Sequence, residues 1–252
     1  MTTLAIHPAP GVRQLGLLMQ WQLRRQAQYL PLLVLVQILV SVATILGYGL
    51  LVGDVPHEAA LYLATGAPTV TLVMVGLVMA PQMVAQAKTE GSLDWIRTLP
   101  VPRPAFLIAD LLVWTVLALP GMVLGVLVGQ WRFDLDLSLA WWVAPAAFVV
   151  SLISAAVGYA MATLLPPQLA HLMTQVLVFV VLLFSPVSYP AERMPGWLQG
   201  VHSVLPIEPM AQVVRGGLAH EDFSVPGRSV AVLAIWTVAS LAGATWSINR
   251  RA

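Results

Sequence analysis

Apolar residues along this chain are grouped in six long runs that carry almost no charge. The runs cover residues 30–52, 59–85, 105–129, 140–165, 169–187 and 229–248. Each run is close to the length of about 20 residues that an α-helix needs to cross a bilayer. Residues 30–52 alone contain 15 Leu, Ile and Val residues, and each favours insertion by about 0.3–0.6 kcal/mol at a helix centre. The pattern predicts an all-α membrane protein with six transmembrane helices, forming a single transmembrane domain over residues 1–252.

Composition agrees with this prediction. Charged residues make up 9% of the 252 residues and hydrophobic residues 59%, with a mean hydropathy of +0.84. An ordinary soluble domain has about 25% charged residues, so little of the chain is left for a separate soluble domain. The formal net charge is +1 and there is no cysteine. We therefore expect no nucleic-acid partner, no disulfide and no thiolate metal site.

A proline pair divides the longest uncharged stretch, which lies between Asp136 and Glu192. Pro166-Pro167 cannot continue a helix, and it moves the preceding residue out of the helical region. The fourth and fifth spans are therefore predicted to be joined by a very short turn.

Lysine and arginine residues indicate the orientation of the spans. If the N-terminus is cytoplasmic, eight of the 12 basic residues lie inside and four outside, as the positive-inside rule predicts. We therefore expect a multi-pass protein of the cell membrane with both termini in the cytoplasm. The inside set is Arg13, Arg24, Arg25, Lys88, Arg97, Arg103, Arg250 and Arg251, and the outside set is Arg132, Arg193, Arg215 and Arg228.

Residues 12–30 predict a helix that lies in the cytoplasmic interface before the first span. At 100° per residue, most of its apolar residues fall on one side and its polar residues on the other. The apolar side holds Leu15, Leu18, Met19, Leu23 and Tyr29, and the polar side Gln20, Arg24 and Gln28, with Leu17 and Trp21 as exceptions. The alternative is a basic segment that only fixes the topology.

The link from Gln86 to Arg103 is the most polar of the predicted cytoplasmic loops. Helical spacing places Glu90, Asp94 and Arg97 on neighbouring turns of a short helix, with apolar residues available for docking. A loop that only joined two spans could be much shorter. We interpret the link as a contact element for another protein, and the alternative is a solvated connecting helix.

Residues 185–227 predict a broken segment on the outer side. Prolines at positions 186, 190, 195, 206 and 209 divide it into short helical pieces, several of them apolar. Irregular backbone at membrane depth is tolerated only where protein or a cavity covers it. We therefore predict a re-entrant element before the last span, and the alternative is a loop that rests on the membrane surface.

Two stretches resemble ABC-2-type transporter permeases. The first is Glu90-Gly91-Ser92-Leu93-Asp94, followed by Leu99-Pro100-Val101 and Arg103, and the second is Ser185-Pro186, Tyr189-Pro190, Met194-Pro195, Trp197-Leu198, Pro206, Pro209 and Val214-Arg215. Their order between the predicted spans extends the resemblance over essentially the whole chain. The chain departs from the family pattern at residues 205–209, where the family often shows an Asn-Pro step.

The resemblance implies a transport subunit that depends on partners. The cytoplasmic link would be a coupling helix seated on an ABC ATP-binding subunit, present in two copies, and a second permease subunit, identical or homologous, would complete the path. The drug- and antibiotic-export branch is most similar, which implies an amphipathic substrate such as a fluoroquinolone or an anthracycline. Polysaccharide- and lipid-export permeases share the fold and are the alternative. The implied coupling residues are Glu90, Gly91, Leu93, Asp94, Ile96 and Arg97, and the implied outer-motif residues are Pro186, Tyr189, Pro190, Pro195, Trp197, Pro206, Pro209 and Arg215.

The sequence carries no phosphate-binding loop of the Gly-x-x-x-x-Gly-Lys-Ser/Thr type, so ATP hydrolysis is expected in a separate subunit. We expect no enzyme activity, no cofactor and no metal. Asp110 and His171 are ionisable residues inside spans, and such residues are functional candidates. Asp110 could be structural, reaching interfacial water or Arg103, or could act in transport; His171 could be an interfacial histidine or a proton relay. A self-sufficient channel or secondary transporter is therefore a further alternative.

Overall fold

The computed structural model describes residues 11–52, 56–92, 98 and 102–249. The helices of the described residues, in chain order, are α1 (Gly11–Gln26), α2 (Leu30–Val52), α3 (His57–Thr89), α4 (Arg103–Phe133), α5 (Val143–Leu164), α6 (Pro167–Phe184), α7 (Gly196–His202), α8 (Ile207–Leu218) and α9 (Gly227–Asn249). A 3₁₀ turn, Ala191–Arg193, precedes α7. No β-strand occurs in these ranges.

Six helices, α2 to α6 and α9, are long and apolar enough to cross a membrane. The predicted all-α fold with six spans is therefore confirmed. Two helices extend beyond their predicted limits, because α3 continues to Thr89 and α4 runs to Phe133. The residues Gln86 to Thr89, which we assigned to the cytoplasmic link, therefore belong to the second span. The turn between the fourth and fifth spans is as short as predicted, since α5 ends at Leu164 and α6 begins at Pro167.

The helix α3 lies at the centre of the bundle and is almost entirely buried. It packs against α4 through a row of small residues, Gly121, Gly125 and Gly129, which face Ala64, Pro68 and Thr71 of α3. A Cβ atom on Gly129 would lie 2.8 Å from the Cβ of Ala64. Small residues at four-residue spacing allow two helix backbones to approach closely in a membrane. The three glycines at four-residue spacing are visible in the sequence, but the hydrophobic pattern does not indicate that they form a helix contact.

The contact between α3 and α5 is closer still. Gly158 of α5 faces the backbone carbonyl of Gly76, and a Cβ atom on Gly76 would lie 2.5 Å from the amide nitrogen of Ala155. Gly76 lies in a π-helical turn, Val75–Met79, inside α3. Such turns are inserted bulges that often mark functional positions. The two helices therefore cross with backbone against backbone at this point.

The bundle has two ends that differ in structure. At one end, which we call the Lys88 end, the C-terminus of α3 meets the turn between α5 and α6 and the C-terminal part of α9, where Thr163 bonds to Ser247 at 2.7 Å. At the other end, the Arg215 end, α8 packs on the N-terminal half of α3. Glu90, Gly91 and Ser92 of the first stretch that resembles the permease family therefore lie at the opposite end of the bundle from Arg215 of the second.

Candidate functional site

The predicted coupling segment begins where α3 ends. The backbone of Gly91 has φ = +71°, a left-handed conformation that glycine adopts without strain. Its amide donates a hydrogen bond to the carbonyl of Lys88 at 3.2 Å. The exposed Glu90 accepts a hydrogen bond from Gln86 at 2.7 Å. Glu90 and Gly91 therefore terminate α3, and the other implied coupling residues, Leu93, Asp94, Ile96 and Arg97, lie outside the described residues.

Lys88 fastens the end of α3 to the end of α5. Its ammonium group donates hydrogen bonds to the carbonyl oxygens of Ala162, Thr163 and Leu165, at 3.0, 2.8 and 3.0 Å. The last carbonyls of a helix have no partner within the helix, and a cation there also interacts favourably with the helix dipole. Sequence reasoning treated Lys88 only as a topology charge. Its position just before the Glu-Gly step is the signal that could have identified it.

The helix α1 joins both sides of the predicted coupling segment. On one side, Arg25 donates a hydrogen bond to the hydroxyl of Ser92 at 3.1 Å. On the other side, the ring of Trp21 lies 6.4 Å from the ring of Phe106 in the first turn of α4. The guanidinium of Arg25 lies 5.8 Å from the Trp21 ring centre. Helix α1 therefore contacts both Ser92, just after α3, and Phe106, at the start of α4.

The face of α1 that packs on the bundle includes polar side chains. Gln20, Arg24 and Gln28 are exposed as expected. However, the most buried side chains of α1 are Gln22 and Gln26, at 4% and 7% exposure, and the predicted apolar residues are only partly buried at best. The helix therefore docks on the bundle through amides as well as through apolar groups.

Asp110 and His171, the ionisable residues that the sequence analysis placed inside spans, have different environments. Asp110 is buried and lines a cavity with Arg25, and Arg103, the predicted partner, is exposed and does not line it. His171 is exposed on the surface of α6. Among the described residues, no group of three or more His, Asp or Glu could hold a metal ion.

At the opposite end of the bundle, Arg215 of α8 is buried at 5% exposure. Its guanidinium donates hydrogen bonds to the carbonyl of Val187, at 2.5 Å, and to the hydroxyl of Thr65, at 3.3 Å. It also lies 4.0 Å from the ring centre of Tyr62, a favourable cation–π geometry. Burial lowers the pKa of Arg215 to about 10, so it remains charged at neutral pH. Arg215 therefore ties α8 to α3 and to the segment after α6.

The other outer-motif residues divide between helix starts and surface positions. Pro190, Pro195 and Pro206 each occupy the position before a short helix, where a missing amide donor costs nothing. Pro209 lies in the first turn of α8 and is buried, whereas Trp197 is exposed. Tyr189 donates a hydrogen bond to the carbonyl of Leu183 at 3.3 Å, and Pro186 lines the cavity beside Arg215. The structure therefore brings Arg215 and Pro186 together, while Trp197 points to the surface.

A polar cavity of about 130 Å³ opens beside Arg215. Two carboxylates, Glu192 and Glu208, line it together with Gln212. Burial is the largest influence on Glu208 and raises its pKa, although neighbouring histidine and arginine residues oppose this. Glu208 also accepts a hydrogen bond from Gln212 at 2.9 Å. The cavity therefore combines one buried cation with two carboxylates.

Comparison with protein-family models gives a match that covers most of the chain. A family model described as "ABC-2 type transporter" matches residues 13–219. This range includes α1, the first five spans, α7 and α8. No curated protein matches the chain.

Proposed function

This chain belongs to the ABC-2 type transporter family, and from this premise we propose that it is the permease subunit of an exporter driven by a separate ATP-hydrolysing subunit. Members of the family are membrane transport components rather than enzymes, and six apolar helices make the chain a multi-pass membrane protein. The proposed partner binds at the Lys88 end, on the coupling residues Glu90, Gly91, Leu93, Asp94, Ile96 and Arg97. This end faces the cytoplasm, with both termini, and the membrane is the cell membrane.

The connection between Lys88 and α5 is the observation that carries this proposal. A force applied after Glu90 acts on α3, and the three carbonyl bonds of Lys88 pass it directly to the turn between α5 and α6. Arg25 passes the same force to α1 through Ser92. A closing motion of a partner ATPase would therefore reach at least three helices through charge-assisted hydrogen bonds, which are stronger than neutral ones.

A second permease subunit, identical or homologous, completes the proposed complex, together with two ATP-binding subunits. The helices α2 and α6 support this, because only 22% of residues 30–47 and 17% of residues 167–184 are buried within the chain. Exposed side chains on α6 include Leu172, Val176 and Phe179. A path between two permeases would use surfaces of this kind.

The proposed substrate is amphipathic. The first candidate is a drug or an antibiotic such as a fluoroquinolone or an anthracycline, and the second candidate is a polysaccharide or a lipid. Exposed aromatic surface on the spans, at Phe148 and Phe179, supports an amphipathic substrate. Trp114 of α4 is buried and offers no such surface. A self-sufficient carrier is less well supported, because His171 is exposed and Asp110 is enclosed beside Arg25.

The test is a reconstitution in vesicles with an ATP-binding subunit that co-purifies with the permease in gentle detergent. We expect ATP hydrolysis to drive uptake of a fluorescent amphipathic drug into inside-out vesicles. Glu90→Lys should abolish drug-stimulated ATP hydrolysis and uptake while the permease stays in the membrane. The matched control is Glu221→Lys, at an exposed site that follows α8 at the opposite end of the bundle. Uptake without ATP or partner would contradict the proposal.

A further inference from the structure

The face of α1 that packs on the bundle carries two buried amides with unmet hydrogen bonds. Gln22 and Gln26 are 4% and 7% exposed. The Nε2 atom of Gln22 and the Oε1 atom of Gln26 have no hydrogen-bond partner within the described part of the chain. A buried polar group without a partner is strongly unfavourable compared with one that is bonded. Helix α1 also contains apolar residues that could occupy its most buried positions. Because two amides occupy them instead, we look for a group that bonds to these amides.

A cavity lies where these two amides meet α4. It measures about 30 Å³, and its lining residues with polar side-chain groups include Gln22, Arg25, Gln26, Asp110 and Tyr159. One water needs about 10–15 Å³ of such volume and two to four polar partners. The cavity therefore has room for one or two waters, and it is too small for an organic ligand.

The chemistry of the lining distinguishes water from a cation. Gln22 offers a donor, whereas Gln26 and the carboxyl of Asp110 offer acceptors. The guanidinium of Arg25 lines the same cavity, so the carboxylate already has a positive neighbour and a metal ion would be repelled. Only a ligand that both donates and accepts hydrogen bonds satisfies all of these groups.

We propose that Gln22, Gln26 and Asp110 form a buried water-binding site that joins α1 to α4. The water accepts a hydrogen bond from the Gln22 amide and donates to the Gln26 amide oxygen and to the Asp110 carboxyl. The site lies at the base of the segment between residues 92 and 102, beside the contacts of Arg25 with Ser92 and of Trp21 with Phe106. It therefore completes the attachment of α1 to both sides of that segment, whether or not a partner protein is bound.

The first experiment measures the thermal stability of the isolated permease in detergent. Gln26→Leu should lower the melting temperature by roughly 2–8 °C, because the bound water loses a partner and two polar groups lose their bonding. Gln20→Leu is the matched control, on the exposed side of the same helix, and should leave the melting temperature unchanged. Equal melting temperatures for Gln26→Leu and the unmodified protein would overturn the proposal.

The second experiment detects the water in the unmodified protein, so it does not depend on whether a variant folds. Short X-ray pulses split bound water into hydroxyl radicals, which oxidise neighbouring side chains. Trp114 and Tyr159 line the cavity and are each only 1% exposed. Met210 is equally buried, at 1%, and does not line it. We expect mass spectrometry to show oxidation of Trp114 or Tyr159 well above that of Met210. Oxidation no greater than at Met210 would overturn the proposal and would leave the transport function untouched.

Discussion

The ammonium group of Lys88 lies 2.8 Å from the carbonyl oxygen of Thr163, so the end of the second span is bonded to the end of the fourth. Two further carbonyls of the same turn, those of Ala162 and Leu165, complete the interaction. The half-buried lysine thus provides the positive charge that a helix C-terminus favours. A single side chain connects three spans, because α6 begins two residues after Leu165.

Replacement of Lys88 tests the mechanical role of this connection. Lys88→Met keeps the length of the side chain and removes the charge, so we expect a loss of about 1–3 kcal/mol in stability. We also expect ATP hydrolysis by the partner to continue while drug uptake falls, since α5 and α6 no longer follow α3. Arg13→Met, an exposed cation on α1, is the control. Full uptake by Lys88→Met would contradict the coupling role.

The close crossing of α3 and α5 predicts that replacement of glycine by alanine is unfavourable at Gly158, which lies in the crossing, and not at Gly243, which lies outside it. Gly158→Ala places a methyl group against the carbonyl of Gly76, so α3 and α5 must separate and the melting temperature should fall. Gly243→Ala, on α9, meets no atom within 4 Å and should be neutral or raise the stability by up to about 1 kcal/mol through helix propensity. Thermal unfolding in detergent measures both. A Gly158→Ala protein as stable as Gly243→Ala would show that the two backbones are not in contact.

Substitution of Arg215 by lysine tests the buried interaction at the other end. Lysine keeps the charge but lacks the planar guanidinium. That group donates hydrogen bonds to both Val187 and Thr65 and lies over the ring of Tyr62. We expect a destabilisation of about 2–4 kcal/mol, because a charge that remains buried loses its partners. Arg193→Lys, at an exposed position on the same side of the bundle, should have no effect. Limited proteolysis between α6 and α8 would report the loosening, and equal cleavage of the two variants would argue against this role.

Glu208 predicts a pH dependence of stability. Its pKa is raised in the folded protein, chiefly by burial, so the folded state retains the proton more readily than the unfolded state. The stabilisation is present below the ordinary glutamate pKa and is lost as the pH rises through the raised value. Glu208→Gln removes this contribution. The melting temperature of the unmodified protein should therefore fall relative to that of Glu208→Gln as the pH rises from the ordinary glutamate pKa, about 4, through the raised value. A constant difference between the two proteins would contradict the prediction.

The hydrophobic pattern was sufficient to predict the number of spans and the turn at Pro166-Pro167, because lipid insertion depends on length and apolar content alone. The helix limits were less accurate. Gln86, Ala87 and Lys88 are good helix formers, and α3 continues through them until Gly91 allows a left-handed turn. Polarity indicated where the chain leaves the membrane, whereas the glycine determined where the helix ends.

The sites were only partly predictable. The prolines that start α7 and α8 and the buried Arg215 were selected from the sequence by resemblance, and local backbone chemistry explains the prolines. Lys88, Gln22 and Gln26 were missed as site residues. Lys88 bonds to Thr163, 75 residues away along the chain, and Gln22 and Gln26 line a cavity with Asp110, more than 80 residues away. No local pattern specifies contacts at that separation.

The sequence by itself determined that this protein resides in a membrane with six spans, because each apolar run satisfies its own backbone hydrogen bonds as a helix and its own side chains in lipid. Only the tertiary structure decided which polar side chains meet between the helices. Lipid does not drive apolar helices together as water does, so small residues and specific hydrogen bonds fix their packing. The glycines of α4 and α5, Lys88 and Arg215 acquire their roles through that packing.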